Sequence, residues 1–182
     1  MADLPDLRHF RSVLIVKPSS LGDIVHTLPS VAALRHSFPH LCIRWVANPE
    51  WMPLIEGSPC VDEVIPFPRK KLRGLAAPLH YTHWARYFSE LPKEDPELIL
   101  DFQGLFRSAM ISLARGSHPI LGLSDAREGA AWFYDAVIPV DSGAHAVDRY
   151  LSLPASLGAS PPPGPLPWPL PPGLSPSGDL PK

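Results

Sequence analysis

Charge of one sign, cysteine and long apolar runs are all scarce in this sequence. Its 182 residues carry a formal net charge of -2 at pH 7. That near-balance gives no case for a nucleic-acid-binding protein, which needs a clustered basic surface. Cysteine occurs only at Cys42 and Cys60, which make neither a disulfide framework nor a metal motif and fit a reduced, cytosolic chain. No apolar run approaches the ~20 residues needed to span a bilayer. The start, Met1-Ala2-Asp3-Leu4-Pro5-Asp6, lacks the basic and apolar regions of a signal peptide. No G-x-G-x-x-G or P-loop pattern follows the first apolar run, and no G-x-S-x-G or C-x-x-C occurs. The eight histidines are scattered. A metal site and a bound cofactor therefore have little support, and no internal repeat is present.

Against these absences, 45% of the residues are hydrophobic, enough for one globular α/β domain with a substantial core. Proline is abundant, with 25 residues unevenly placed. From Pro154 onward the chain reads PASLGASPPPGPLPWPLPPGLSPSGDLPK, nearly without charge and unsuited to helix or ladder. The expected division is a domain over 1–153 and a linker-like, extended or disordered tail over 154–182.

One stretch organises the rest: Lys17-Pro18-Ser19-Ser20-Leu21-Gly22-Asp23. It follows the all-apolar run Val13-Leu14-Ile15-Val16, which suits a central parallel strand covered on both faces. Such a strand delivers its loop to the carboxyl edge of the sheet, where α/β proteins bind ligands. The loop offers two hydroxyls, a glycine that lets a ligand approach the backbone, and a carboxylate at a helix start. Ser20 and Asp23 equally suit an ordinary helix cap and first turn.

Strands are expected at 12–17, 41–46, 61–65, 97–102, 119–122 and 136–140. Helices are expected at 23–37, 81–91, 103–115 and 145–157, with Pro29 kinking or dividing the first. Alternation of this kind predicts a doubly wound sheet. The densest positive run, Arg69-Lys70-Lys71-Leu72-Arg73, follows the third strand and reads as a solvated loop or an anion-binding patch. Trp84, Tyr87 and Phe88 are expected in the core. Asp101 and Gln103 stand at a second strand–glycine–helix junction.

Five segments, in order, resemble the bacterial lipopolysaccharide heptosyltransferases, closest to their type I members: VLIVKPSSLGDIVHTLPSVAALRHSFP, VDEVIPFPRKKLR, LILDFQGLFRSA, AREGAAWFYDAVIPV and HAVDRYLSL. The resemblance implies an inverting glycosyltransferase of the GT-B fold, two Rossmann-like domains facing across a cleft. It implies transfer of heptose from ADP-heptose to the Kdo of Kdo-lipid A, in the cytoplasm and peripherally at the inner leaflet of the membrane. The match covers the acceptor-binding domain only. The donor-binding half has no counterpart in these residues, which raises the alternatives of a separate donor-domain chain, a silent remnant and a type II half. By the resemblance Asp23 is the general base. Ser20, Gly22, Arg69, Lys70, Arg73, Gln103, Arg127, His145 and Arg149 are acceptor-side positions. His145 has a second reading as a helix cap, and Arg149 as a surface charge.

Overall fold

The computed structural model describes residues 4–67, 96–116 and 118–165. Six parallel strands form one sheet in the order β3-β2-β1-β4-β5-β6. They are β1 (Ser12–Val16), β2 (Cys42–Ala47), β3 (Glu63–Pro66), β4 (Leu98–Asp101), β5 (Ile120–Leu123) and β6 (Ala136–Ile138). Among the described residues three α-helices accompany them: α1 (Leu21–Ser37), α2 (Phe106–Leu113) and α3 (Ala146–Ser156). This strand order is that of a Rossmann-like, doubly wound sheet, with its topological switch between β1 and β4.

The apolar runs explain why β1 lies at the centre. Val13 and Ile15 join a cluster with Ile24, Val31 and Leu34 of α1 and Leu153 of α3. Leu14 and Val16 point the other way, into a cluster with Ile99 and with Ile111 of α2. Every β1 residue is buried, so a strand with no polar face can exist only here. The register aligns Val16 with Val46 on one side and Asp101 on the other, and Asp101 with Gly122. Strand ends thereby meet along one edge and carry Lys17, Phe102 and the loop after Leu123 to the same place.

Two expectations need correction. Pro29 does not divide the first helix, since α1 is continuous for 17 residues with Pro29 inside. Burial of Ile24, Leu28, Val31, Ala32 and Leu34 outweighs the one backbone bond a proline removes. The fold also does not stop at residue 153. α3 continues through Pro154 to Ser156, and Leu157 and Ala159 are buried. The Ser160 amide then donates to Ser37 Oγ at 2.9 Å, so the first proline-rich residues pack against the end of α1. Residues 166–182 and the helix expected at 81–91, with Trp84, Tyr87 and Phe88, lie outside the described residues.

Candidate functional site

At the carboxyl edge of the sheet an open cleft of about 340 Å³ is lined by Lys17, Asp23, Asp101, Gln103, Asp125, Arg127, Arg149 and Tyr150, among others. Its size lies within the range of small-molecule sites. The loop after β1 supplies Lys17, and α1 supplies Asp23. The loops after β4 and β5 supply Gln103, Asp125 and Arg127, and α3 supplies Arg149 and Tyr150.

Asp23 is both cap and cleft residue. Its Oδ2 accepts from the Ser20 amide at 3.1 Å and from Ser20 Oγ at 3.0 Å, while Oδ1 accepts from the Tyr150 hydroxyl at 3.1 Å. A carboxylate has about four lone-pair positions. With these three bonds made, one position on Oδ1 is left. Burial pushes the Asp23 carboxyl up. The Lys17 ammonium and the bonds from Ser20 and Tyr150 outweigh that and hold it below the usual carboxylate value.

Lys17 is 2% exposed. Its ammonium donates to the Phe102 carbonyl at 2.9 Å and to the Tyr150 hydroxyl at 2.8 Å, and lies 3.9 Å from Asp23 Oδ1. Burial lowers it from 10.5 to about 8, although Asp23, Asp101 and Asp125 pull it back up. Trp45 Nε1 fixes the stem of this loop by donating to the Lys17 carbonyl at 3.1 Å.

Beneath the cleft Asp101 is fully buried and accepts four hydrogen bonds. Ser108 Oγ and the Tyr134 hydroxyl donate to Oδ2 at 2.7 and 2.8 Å. The amides of Gln103 and Gly104 donate to Oδ1 at 2.8 and 3.1 Å. Burial raises its carboxyl above the usual value despite these donors. The bonds shape the loop after β4. Gly104, at φ +65, passes so near the next loop that a Cβ there would stand 3.2 Å from Ala126 Cα, and its carbonyl accepts from the Arg127 amide at 2.7 Å. Asp101 thus holds the backbone that carries Gln103 and seats Arg127.

The structure brings together most of the expected site residues. Asp23, Gln103, Arg127 and Arg149 line the cleft, and Gln103 Oε1 accepts from the Ser19 amide at 3.3 Å. Ser20 binds Asp23. Gly22 faces open space, with nothing within 4 Å of the point a Cβ would occupy. Arg149 is ion-paired to Asp125, so it is a cleft cation and not a free surface charge. His145 does not line the cleft. It caps α3, its Nδ1 accepting from the Val147 amide at 3.3 Å. Arg69, Lys70 and Arg73 lie outside the described residues.

Lys17, Tyr150 and Asp125 are cleft residues that sequence reasoning did not assign. For Lys17 a signal existed: a lysine closing an all-apolar buried strand must find partners inside. Tyr150 and Asp125 carry no local signal. His36 and His40 have the four-residue spacing of a metal pair, but α1 ends between them at Ser37.

Residues 84–167 match the model of glycosyltransferase family 9 (heptosyltransferase). Over that stretch the chain is similar to this family. It is 37% identical over 141 residues to lipopolysaccharide heptosyltransferase 1 of Pseudomonas aeruginosa, a match covering 75% of this chain and 40% of that protein. To the enzyme of the same name from Escherichia coli it is 33% identical over 156 residues, covering 82% and 49%. Its fold is similar to that of the E. coli heptosyltransferase WaaC solved with ADP-2-deoxy-2-fluoro heptose. There the TM-score is 0.72 at 30% identity, covering 85% of this chain and 51% of WaaC. The chain thus spans about half the length of the curated relatives it matches.

Proposed function

We propose that this chain is the acceptor-binding half of a lipopolysaccharide heptosyltransferase of type I, which transfers heptose from ADP-heptose to the Kdo of Kdo-lipid A. The observation that carries the reading is Asp23. It is a carboxylate held ionised at the cleft edge with one lone pair left on Oδ1, on a fold shared with a heptosyltransferase. The likeness to proteins named lipopolysaccharide heptosyltransferase 1 favours type I.

In this reading the acceptor hydroxyl oxygen attacks the anomeric carbon of the heptose in line. The new carbon–oxygen bond forms as the bond to ADP breaks, and ADP leaves with the electron pair, inverting the centre. The hydroxyl proton passes to Asp23 Oδ1. A carboxylate kept below its usual value is a weak base toward a resting hydroxyl. It becomes adequate as the attacking oxygen develops positive charge, and general-base help of this kind contributes ~10²–10⁴-fold. Arg127 and Arg149 supply donors for the anionic groups of the acceptor. By the resemblance of their sequence alone, Arg69, Lys70 and Arg73 are further acceptor-side positions.

The donor, ADP-heptose, is held by the other half of such an enzyme, in the same chain or a separate one. Bringing donor and acceptor together accounts for up to ~7–11 kcal/mol of the barrier, so the acceptor cleft by itself is expected to transfer little. The lipid-linked acceptor puts the working site at the inner leaflet of the membrane, on its cytoplasmic side.

Titration of this chain with detergent-dispersed Kdo-lipid A tests the acceptor assignment. Arg127→Ala is expected to weaken binding ~10-fold or more, the scale of losing a charge-assisted bond, and Asp23→Ala to change it little. Equal affinity in the wild type and Arg127→Ala would remove Arg127 from the acceptor site. No binding by the wild type would favour a silent remnant.

A further inference from the structure

The Tyr150 hydroxyl occupies a position that chain connectivity does not require. It accepts from Lys17 Nζ at 2.8 Å and donates to Asp23 Oδ1 at 3.1 Å, while Nζ and Oδ1 stay 3.9 Å apart. Those three distances make a closed triangle with the hydroxyl wedged into one side. Of the three ammonium protons, two have acceptors, Phe102 O and Tyr150 Oη. The third has none within bonding distance among the described residues, and Oδ1, with its open lone pair, is the carboxylate oxygen that faces it at 3.9 Å. A lysine stem is flexible, and a movement of about 1 Å would close the gap to a contact ion pair.

We propose that Tyr150 is a positioning residue whose hydroxyl keeps the Lys17 ammonium from closing onto the Asp23 oxygen that must accept the acceptor's proton. The proposal rests on Asp23 being that base. Contact with Lys17 would take the last lone pair of Oδ1 and leave Asp23 unable to act. With the hydroxyl in place, Lys17 still stabilises the ionised carboxylate through space without competing for its free position. The ring itself is anchored. Tyr150 is buried, meets Phe102 edge-to-face at 6.0 Å between centroids, and carries the ammonium 4.6 Å from its own centroid. Removing only the hydroxyl therefore leaves the packing intact.

Other charged and titratable groups surround this triangle. Asp101, Asp125 and Arg149 act on Lys17 through space. Ser20 binds the far oxygen of Asp23. His26 and His145 meet edge-on at 5.3 Å, one on α1 and the other capping α3. None of them lies between Nζ and Oδ1.

The test is carbon-13 NMR titration of the Lys17 Cε and Asp23 Cγ signals in this chain, for the wild type, Tyr150→Phe, Lys17→Met and the double variant. In Tyr150→Phe the ammonium should close on Asp23, so Lys17 should titrate above its wild-type value of about 8 and Asp23 below its own. In the Lys17→Met background nothing can close. There the same substitution only removes a donor from Asp23, which should titrate higher. A tyrosine with a merely structural role cannot reverse the sign of its effect on Asp23 between the two backgrounds. Asp23 moving upward in both, or Lys17 moving downward in Tyr150→Phe, overturns the proposal. If Tyr150→Phe does not fold, the scalar coupling between Lys17 Nζ and Asp23 Cγ across a hydrogen bond is sought in the wild type: its absence is expected, and its presence overturns the proposal. These titrations need no turnover, so their failure is distinguishable from the failure of Asp23 as the base, which activity measurements decide.

Discussion

Lys17 and Tyr150 stand 133 positions apart in the chain, and their side chains meet at 2.8 Å on the floor of the cleft. The contact joins the first strand to the last helix. It also makes a buried ammonium part of the site without placing it on the surface, where most lysines lie.

That burial has a consequence for stability. Lys17 falls from an ordinary 10.5 to about 8 on folding. Between those values the unfolded chain holds the proton and the folded chain does not, so stability rises with pH through this window. Compared with Lys17→Met, in which nothing titrates at this position, the wild type should gain roughly 3 kcal/mol from pH 8 to 10.5. Urea unfolding of both chains at half-unit steps of pH measures the difference. A gap that does not change with pH would mean that Lys17 is not buried as described.

Asp101 should be required for its pattern of acceptors. Asp101→Ala leaves the Gln103 and Gly104 amides, Ser108 Oγ and the Tyr134 hydroxyl without their partner. A loss of about 3–5 kcal/mol is expected in chemical unfolding. Asp101→Asn keeps an acceptor for the two amides, and the two hydroxyls can turn to accept from its NH₂, so its loss should be much smaller. Equal losses in the two variants would show that the charge, and not the acceptor pattern, is what the loop needs.

Gly122 gives a steric test of the same floor. A Cβ at this position would stand 2.1 Å from Tyr134 Cε2, so Gly122→Ala must push the ring off β5. Overpacking of this kind costs about 1–3 kcal/mol, and here it also pulls the Tyr134 hydroxyl from Asp101. A melting temperature equal to that of the wild type would contradict the placement of Tyr134.

Local pattern made part of the fold and site legible in the sequence. Val13 to Val16 read as a buried strand because no residue in the run is polar, and Asp23 read as a helix-start carboxylate because it follows a serine and a glycine after that strand. Of the two outcomes expected at Pro29, division does not occur, because the packing of α1 on both sheet and α3 outweighs local propensity. Pro154 carried two readings: the helix expected at 145–157 is borne out by α3, while the tail expected from 154 begins later than its composition suggests. Tyr150, Asp125 and the partners of Lys17 were not visible. Their roles arise where three loops and two helices converge, and no spacing along the chain records which tyrosine or aspartate reaches that point. His145 had two readings, and the helix-start geometry of α3 bears out the cap.

The central claim is that Asp23 takes the proton of the acceptor hydroxyl. It is tested most directly by measuring heptose transfer from ADP-heptose to Kdo-lipid A with the donor-binding half supplied, in the wild type and in Asp23→Ala. Turnover in the variant should fall by about 10²-fold or more, with the affinity for Kdo-lipid A little changed. Undiminished turnover in Asp23→Ala would contradict the claim and leave Asp23 as the cap of α1 alone.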